Sequence, residues 1–361
     1  MGKSYKQLKS VGFFEQEYTL DKLKALGNPL ETLSLLIDFE MFRDLLETNL
    51  YNVGRDSQAG ARPFDVILMF KIMFLQRFYG LSDESVEYQI KDRVSFRHFL
   101  GIKSVDSVPD SRTIWLFREK LCKSDIVENL FEKFNSHLRA LGLDFKEGKI
   151  IDASFVVCPR QKITKEEKDQ IKAGKGKDLW KEEPHKKCHK DIDAGWTVKN
   201  GIPYYGYKNH IKVDNKSKLI NTYVVTSASV HDSDPPRDLL TENDKGQKVY
   251  GDSAYSGLGY LFERKGVIKE VCSKGQRSHP LTEEQKSENK RISKNRARVE
   301  HVFGFMEGAM HGLTCRLIGL TRAKVIVGLI NLFYNMCRFE QIVRYELCGI
   351  QKRDFIHNQN Y

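Results

Sequence analysis

The sequence predicts an α/β protein, a mixed sheet flanked by helices and preceded by an all-helical N-terminal region. Three observations predict it. Residues 1 to about 145 carry apolar side chains at helical spacing, with capping residues between the runs. From Gly148 onward, short β-branched runs take over, beginning with KIIDASFVVC at Lys149–Cys158. The elements then follow in the order strand, hairpin, helix, strand, helix, strand, helix, which builds a mixed sheet with helical cover.

The N-terminal elements come first. Phe13, Phe14 and Tyr18 precede Leu20, Leu23 and Leu26 at helical spacing. Pro63 suits the first turn of a helix through Phe64, Ile67, Leu68, Phe70, Ile72, Phe74, Leu75 and Phe78. Gly80 ends that helix and Ser82 caps the next. Pro109-Asp110-Ser111 opens a helix carrying Ile114, Trp115, Phe117 and Leu121, and Asp125 is read as the cap of another through Leu130, Phe134, Leu138 and Leu141. Lys91, Arg93, Arg97, Arg112 and Arg118 lie among these helices. They are either the DNA-contacting face of a helix-turn-helix or the solvated side of a bundle.

After the first strand, Arg160–Lys190 holds 11 Lys or Arg against 6 acids and shows no hydrophobic period, so a long mobile insertion is expected there. Alternation from Pro203 to Val213, the turn Asp214-Asn215-Lys216-Ser217 and the run Leu219–Thr226 read as a hairpin. A helix follows Asp232–Pro236, Lys248–Gly251 is a short strand ending at Asp252, and Val267–Cys272 is another. A basic helix from about Glu283 runs past Glu300. The expected division is a helical domain at 1–145, a catalytic domain at 146–345 with an insertion at about 159–202, and a tail at 346–361.

Charge and cysteines narrow the function. The 361 residues hold 59 Lys plus Arg against 48 Asp plus Glu, a net charge of +11, which favours an anionic partner such as nucleic acid. The seven cysteines form no C-x-x-C pair, which argues against a disulfide framework and for a reducing, cytoplasmic setting. His185, Cys188 and His189 lack the second ligand pair of a zinc site. The apolar stretches Val66–Leu75 and Val325–Cys337 fall short of the ~20 residues that span a bilayer, so both read as core helices. Gly174-Lys175-Gly176-Lys177 lacks phosphate-loop spacing, because Asp178 follows the lysine. No G-x-S-x-G nucleophile turn occurs.

Three acids stand out. Asp152 lies inside an apolar strand, where a carboxylate is costly to bury unless paired or metal-bound. Asp252 sits at a strand end, where open α/β sheets form their sites. Glu300 lies on a helix beside Val299, Val302, Phe303 and Met306. Taken singly, each also reads as a salt-bridge partner or helix cap. Clustered carboxylates repel one another unless a cation intervenes. Mg2+, for which Mn2+ can substitute, takes oxygen ligands and keeps waters. Two such ions about 3.5–4 Å apart serve an in-line phosphoryl displacement. Lys290, Lys294 and Arg298 recur at i, i+4, i+8 on the helix leading to Glu300, and Arg296 lies one turn before it. They are the candidate DNA-binding residues, with a solvated helix face as the alternative. Trp196 is a candidate for stacking on a flipped base, against plain packing over the hairpin.

At these residues the sequence resembles the bacterial insertion-sequence transposases of the DDE class, in particular the group named for insertion sequence five. The matching segments are IIDASFV around Asp152, YYGYKNHIKVD from Tyr204, VTSASVHDSD from Val225, VYGDSAY around Asp252 and RARVEHVFG around Glu300. LTCRLIGLTRAKVIVGLIN from Leu313 looks like the family's C-terminal stretch, and RPFDVILMFKIMFLQRFYGLSDESVEYQIKDRVSFRHFLGI with PDSRTIWLFREKL like its helical domain. The resemblance implies a ribonuclease-H-like catalytic domain and Mg2+ held by Asp152, Asp252 and Glu300. It also implies double-stranded DNA partners, namely terminal inverted repeats and a target, and action as a homodimer or higher oligomer. Related enzymes carry a Tyr, Arg, Glu, Lys signature on the last helix. Arg296 and Glu300 match it, whereas Ser293 replaces the tyrosine and Glu307 the lysine. An acid at 307 repels phosphate, so that contact is the departure from the family pattern. A ribonuclease-H-like nuclease without a joining step, or a transposase-derived DNA-binding protein that no longer cuts, are the rival readings.

Overall fold

The computed structural model describes residues 15–51, 62–199, 201–275 and 279–351. Phe13 and Phe14 lie outside them, as does most of the C-terminal tail. The chain begins helically: α1 (Glu15–Ala25), α2 (Pro29–Leu36), α3 (Arg43–Leu50), α4 (Val66–Phe78), α5 (Asp83–Asp92), α6 (Val94–Leu100), α7 (Ser111–Ser124) and α8 (Val127–Ala140). Ser82 caps α5 and Asp110 caps α7, each side chain accepting from a backbone N–H of the first turn. Two boundaries differ from the sequence reading. Asp65 caps α4, accepting from the Ile67 and Leu68 N–H groups, so Pro63 stands before the helix rather than in its first turn. Asp125 adopts a left-handed conformation that ends α7, and α8 begins after Ile126 with no side-chain cap. A short polar side chain tolerates that conformation, so Asp125 closes one helix instead of opening the next.

Six strands form one sheet: β1 (Lys149–Val157), β2 (Gly195–Lys199), β3 (Ile202–Asp214), β4 (Ile220–Ser227), β5 (Lys248–Gly251) and β6 (Ile268–Val271). Central β1 pairs antiparallel with β3, placing Asp152 opposite Ile211. On its other side β1 pairs parallel with β5, Ile150 beside Tyr250, and β6 adds parallel to β5. The far edge of β3 is shared, β2 pairing with its first residues and β4 with the rest. Antiparallel β4–β3–β1 followed by parallel β5–β6 is a ribonuclease-H-like mixed sheet, preceded by the helical N-terminal region. Gly206 makes the sharing possible. Its φ is +141°, and a Cβ there would strike the Val156 carbonyl oxygen.

The remaining helices are α9 (Lys165–Lys172) and α10 (Pro184–Lys187) between β1 and β2, then α11 (Pro236–Leu239), α12 (Gly259–Arg264), α13 (Glu283–Arg296), α14 (Glu300–Gly308) and α15 (Leu320–Arg344). The lysine-rich stretch thus holds regular structure. Thr164 and Glu167 form a capping box at the start of α9, and Glu167 also accepts from Trp180 Nε1 at 2.8 Å and pairs with Lys186 at 2.9 Å. Local hydrogen bonds order this stretch where no apolar stripe does. Its last part, Gly195–Lys199, is a strand of the sheet.

Alternation along the strands divides the apolar residues in two. Ile150, Val156, Tyr207, Ile211 and Val213 join a large core with α8, α14 and α15, whereas Ile151 and Val249 join a smaller one with α11 and α12. The large core also takes in Phe42, Phe70, Phe74 and Phe134 of the N-terminal helices. Phe333 of α15 packs against Phe70 and Phe74, with ring centroids 5.6 and 5.2 Å apart. α15 is therefore the shared wall between the N-terminal helices and the sheet. No helix among the described residues is long and apolar enough to cross a membrane. The two asparagines that interrupt the apolar run of α15 are buried and satisfied. Asn331 and Asn209 bond to each other, and Asn335 bonds to Asn135 and to both backbone groups of Ile220.

Candidate active site

β1 and β5 run parallel and in step, so residues two beyond the paired Ile150 and Tyr250 emerge together on the large-core face. These are Asp152 and Asp252. Asp152 sits within the strand with its Oδ1 accepting from the Ala153 N–H at 2.8 Å. Asp252 follows the last residue of β5 and caps the next turn, its Oδ1 accepting from the Ala254 N–H at 2.9 Å. Each keeps its Oδ2 for something else. In this structure that partner is Arg296, whose Nη1 lies 4.0 Å from Asp152 Oδ2 and 3.8 Å from Asp252 Oδ2. One cation thus stands between two carboxylates that would otherwise repel each other.

Burial pushes the Asp152 carboxyl up to about 6, the charges of Asp252 and Glu300 add to this, and the Ala153 N–H and Arg296 oppose it. A largely buried carboxyl that holds its proton more firmly than usual gains from any cation placed beside it.

Glu300 stands first in α14. Between it and α13 the chain makes a 3-10 turn at Ala297–Val299, so the basic helix does not run continuously past Glu300. Glu300 is exposed and lines a cleft of about 430 Å3 with Lys218, His301, Phe305, Tyr334 and Arg338. The structure therefore brings Asp152 and Asp252 together, and leaves the Glu300 carboxylate short of completing the group. Among the described residues, no three His, Cys, Asp or Glu side chains converge closely enough to hold a metal ion. The donor set that does converge still fits a divalent cation in kind. It is two carboxylate oxygens from adjacent strand ends, already bracketing a positive charge.

The candidate phosphate-binding residues part company. Lys290 and Lys294 are exposed on α13 and make no ion pair among the described residues. Arg298 falls in the 3-10 turn, where its Nη1 donates to the Asn215 carbonyl at 3.0 Å, so it does not continue their stripe. Arg296 is turned to the aspartates. Lys218 and Arg338, which sequence reasoning passed over, flank Glu300. Lys218 sits in the hairpin turn and Arg338 in the last turns of α15, and neither position carries a signal of its own. Ser293 is exposed with its Oγ 3.8 Å from Cys272 Sγ, and Glu307 is exposed on α14.

The other side chains singled out lie elsewhere. His210 is opposite Ala153, so it faces away from Asp152. Its Nε2 meets Thr226 Oγ1 at 2.9 Å, and burial lowers its pKa to about 4. His231 Nδ1 meets Ser233 Oγ at 2.8 Å. Trp196 packs on Tyr205 at 5.0 Å between ring centroids, with Arg160 over its ring, which is the hairpin-packing arrangement.

Comparison with known families gives the chain a family. The family model described as "Transposase DDE domain" matches residues 144–336, more than half of the chain, and that described as "Transposase domain (DUF772)" matches residues 18–120. Among solved structures, the piggyBac transposase synaptic complex with hairpin DNA is similar at a TM-score of 0.43 and 11% identity, over 93% of this chain and 80% of that chain. The residues that pair the two aspartates and the segment that ends in Glu300 all lie within the matched range. The chain belongs to the DDE transposase family, and it is a DNA transposase.

Proposed function

We propose that Asp152, Asp252 and Glu300 form the catalytic site of a cut-and-join phosphoryl transferase of the insertion sequence five group. The observation that carries this reading is the pair Asp152 and Asp252, emerging in step from adjacent parallel strands around one positive charge. Asp152 and Asp252 would hold a divalent cation, Mg2+ in this reading, and Glu300 would complete its ligands when DNA draws α14 inward. When bound, such an ion supplies Lewis-acid stabilisation of the charge that builds on phosphate oxygens. The rest belongs to the chain. Lys290 and Lys294 bind the phosphate backbone, and Arg296, freed from the aspartates, turns to a phosphate. Hydrolysis of one phosphodiester at the element end exposes a 3′-hydroxyl, which then attacks a phosphodiester of target DNA in the same site.

The helical region up to about residue 145 recognises the terminal inverted repeats in this proposal. The insertion of about 159–202 holds backbone without sequence preference, and two or more copies act together at the nucleoid. The test is cleavage and strand transfer on an end-containing duplex with Mg2+. Asp152→Asn, Asp252→Asn and Glu300→Gln are each expected to lower both steps by at least about a hundredfold. Parent-like cutting by any one of them removes that residue from the assignment. Cleavage without joined products points instead to a nuclease.

A further inference from the structure

Arg77, near the end of α4, lines a cavity of about 390 Å3 between the α4–α5 turn and residues 310–317. Among the described residues it makes no hydrogen bond and no ion pair. Burial, then the nearby charge of Arg118, lowers its pKa to about 10, so the guanidinium remains charged at neutral pH. Arg118 and Arg316 line the same cavity. The charge of Arg118 is already matched. Its Nη1 and Nη2 donate to the Asp83 carboxylate at 2.5 and 2.8 Å, and Gln76 donates to the same group at 2.6 Å. Its Nε is buried and has no acceptor. Arg316 is exposed and has no acid partner among the described residues. The acid left over is Glu84, exposed at the rim, so three arginines face two acids here.

Two features of the backbone favour an anion in the same place. Ser82, Asp83 and Glu84 are the cap and first turn of α5, whose N–H groups and positive helix end lie at the cavity wall. The turn itself is held open by Gly80, with φ +63°, because a Cβ there would lie 2.6 Å from His311 Cβ. Arg77 is part-exposed, opening on the cavity, and a guanidinium in such a recess without a counter-charge favours an anion beside it. A planar guanidinium fork also matches the geometry of a phosphate.

We propose that this cavity is a phosphate-binding site in which Arg77 and Arg316 grip the anion, with the N-terminus of α5 behind it. The anion is either a phosphodiester of bound DNA or free inorganic phosphate. The first source rests on the transposase reading given above, and the site itself does not.

The experiment uses the full-length protein. Thermal unfolding is followed against inorganic phosphate, with chloride at matched ionic strength as the control. Duplex binding is followed against salt concentration. Phosphate is expected to raise the wild-type Tm by about 2 °C or more, and to leave Arg77→Gln and Arg316→Gln unmoved. Because Arg77 has no partner to lose, Arg77→Gln is expected to melt at or above the parent when phosphate is absent. A marked loss of Tm in chloride would make Arg77 a structural residue and overturn the proposal. Equal phosphate responses in parent and both variants would also overturn it. If the response is lost and the salt slope of duplex binding falls by about one in Arg316→Gln, the ligand is a DNA phosphate. If the response is lost and the slope is unchanged, the site takes free phosphate. No strand cleavage is read, so failure of the metal-site assignment leaves the outcome intact.

Discussion

The side-chain amides of Asn209 and Asn331 bond to each other twice, at 2.8 and 3.1 Å, across the buried contact between β3 and α15. Each amide satisfies the other where water cannot reach. Asn331→Ala or Asn209→Ala leaves its partner unsatisfied and is expected to cost about 1–3 kcal/mol in chemical denaturation. The double variant is expected to cost clearly less than the sum of the two. Strict additivity would mean that the two amides do not interact.

Asp152→Asn is expected to abolish cutting and yet stabilise the fold. Burial raises the Asp152 carboxyl to about 6, above its usual range, with the Asp252 and Glu300 charges contributing. A group that binds its proton more tightly when folded loses stability once pH exceeds the unfolded value, and the loss is complete above about pH 6. At pH 7 it amounts to about 3 kcal/mol on an order-of-magnitude basis. The Tm of Asp152→Asn should exceed the parent's at pH 7 and approach it near pH 4. A lower Tm at pH 7 would show that the pairing with Arg296 outweighs the burial.

His210 gives the fold a different pH dependence. Burial lowers its pKa to about 4, with the Lys208 charge adding and the Asp232 charge opposing. The unfolded histidine takes up its proton near pH 6.5, whereas the folded one stays neutral until about 4. Stability is therefore lost as pH falls through that window, by up to about 3 kcal/mol. His210→Gln keeps a partner for Thr226 and should flatten this part of the curve. If variant and parent lose stability in parallel between pH 6.5 and 4, another group is responsible.

Gly206→Ala is expected to be among the most damaging single-methyl additions in the chain. The new Cβ would meet the Val156 carbonyl oxygen and the Cys158 backbone, at a φ of +141° that side chains rarely adopt. A loss of about 3 kcal/mol or more, or failure to fold, is expected. A stability within 1 kcal/mol of the parent would mean that β3 can shift against β1.

Lys290→Gln and Lys294→Gln should each reduce the salt slope of duplex binding by about one, leaving sequence preference unchanged. Arg298→Gln should not change the slope, because Arg298 is tied to the Asn215 carbonyl. The comparison is a fluorescence titration at several salt concentrations. A slope change confined to Arg298 would reverse the assignment.

Most strands of the catalytic half were legible: β1, β4, β5 and β6 as short runs with β-branched residues bounded by turns, and β3 by its alternation, whereas β2 fell inside the expected insertion. Asp152 stood out as an acid in an apolar run. The structure then added what spacing along one chain cannot give. The register of β1 against β5 puts Asp152 and Asp252 on the same face, and no local pattern encodes that pairing. Arg296 was visible as a basic residue one turn before Glu300, yet its place between the aspartates depends on how α13 docks against β5. The break at Ala297–Val299 was missed because ARV carries neither glycine nor proline, and it separates Arg298 from the lysines before it. The helices of the lysine-rich segment were missed for another reason. The signal of α9 is a capping box, Thr164 with Glu167, and that of α10 a proline in its first turn, rather than an apolar stripe.

α15 is the last long helix along the chain among the described residues, yet both halves of the molecule rest on it. A nascent chain that has passed Asp252 already contains both paired aspartates, but the apolar faces of α4, α8 and β3 still await residues 320–344. Until that helix docks, neither the sheet nor the N-terminal helices have their inner wall. The fold thereby makes docking of residues 320–344 a condition for a settled scaffold, and a product truncated before Leu320 carries the aspartate pair without that inner wall.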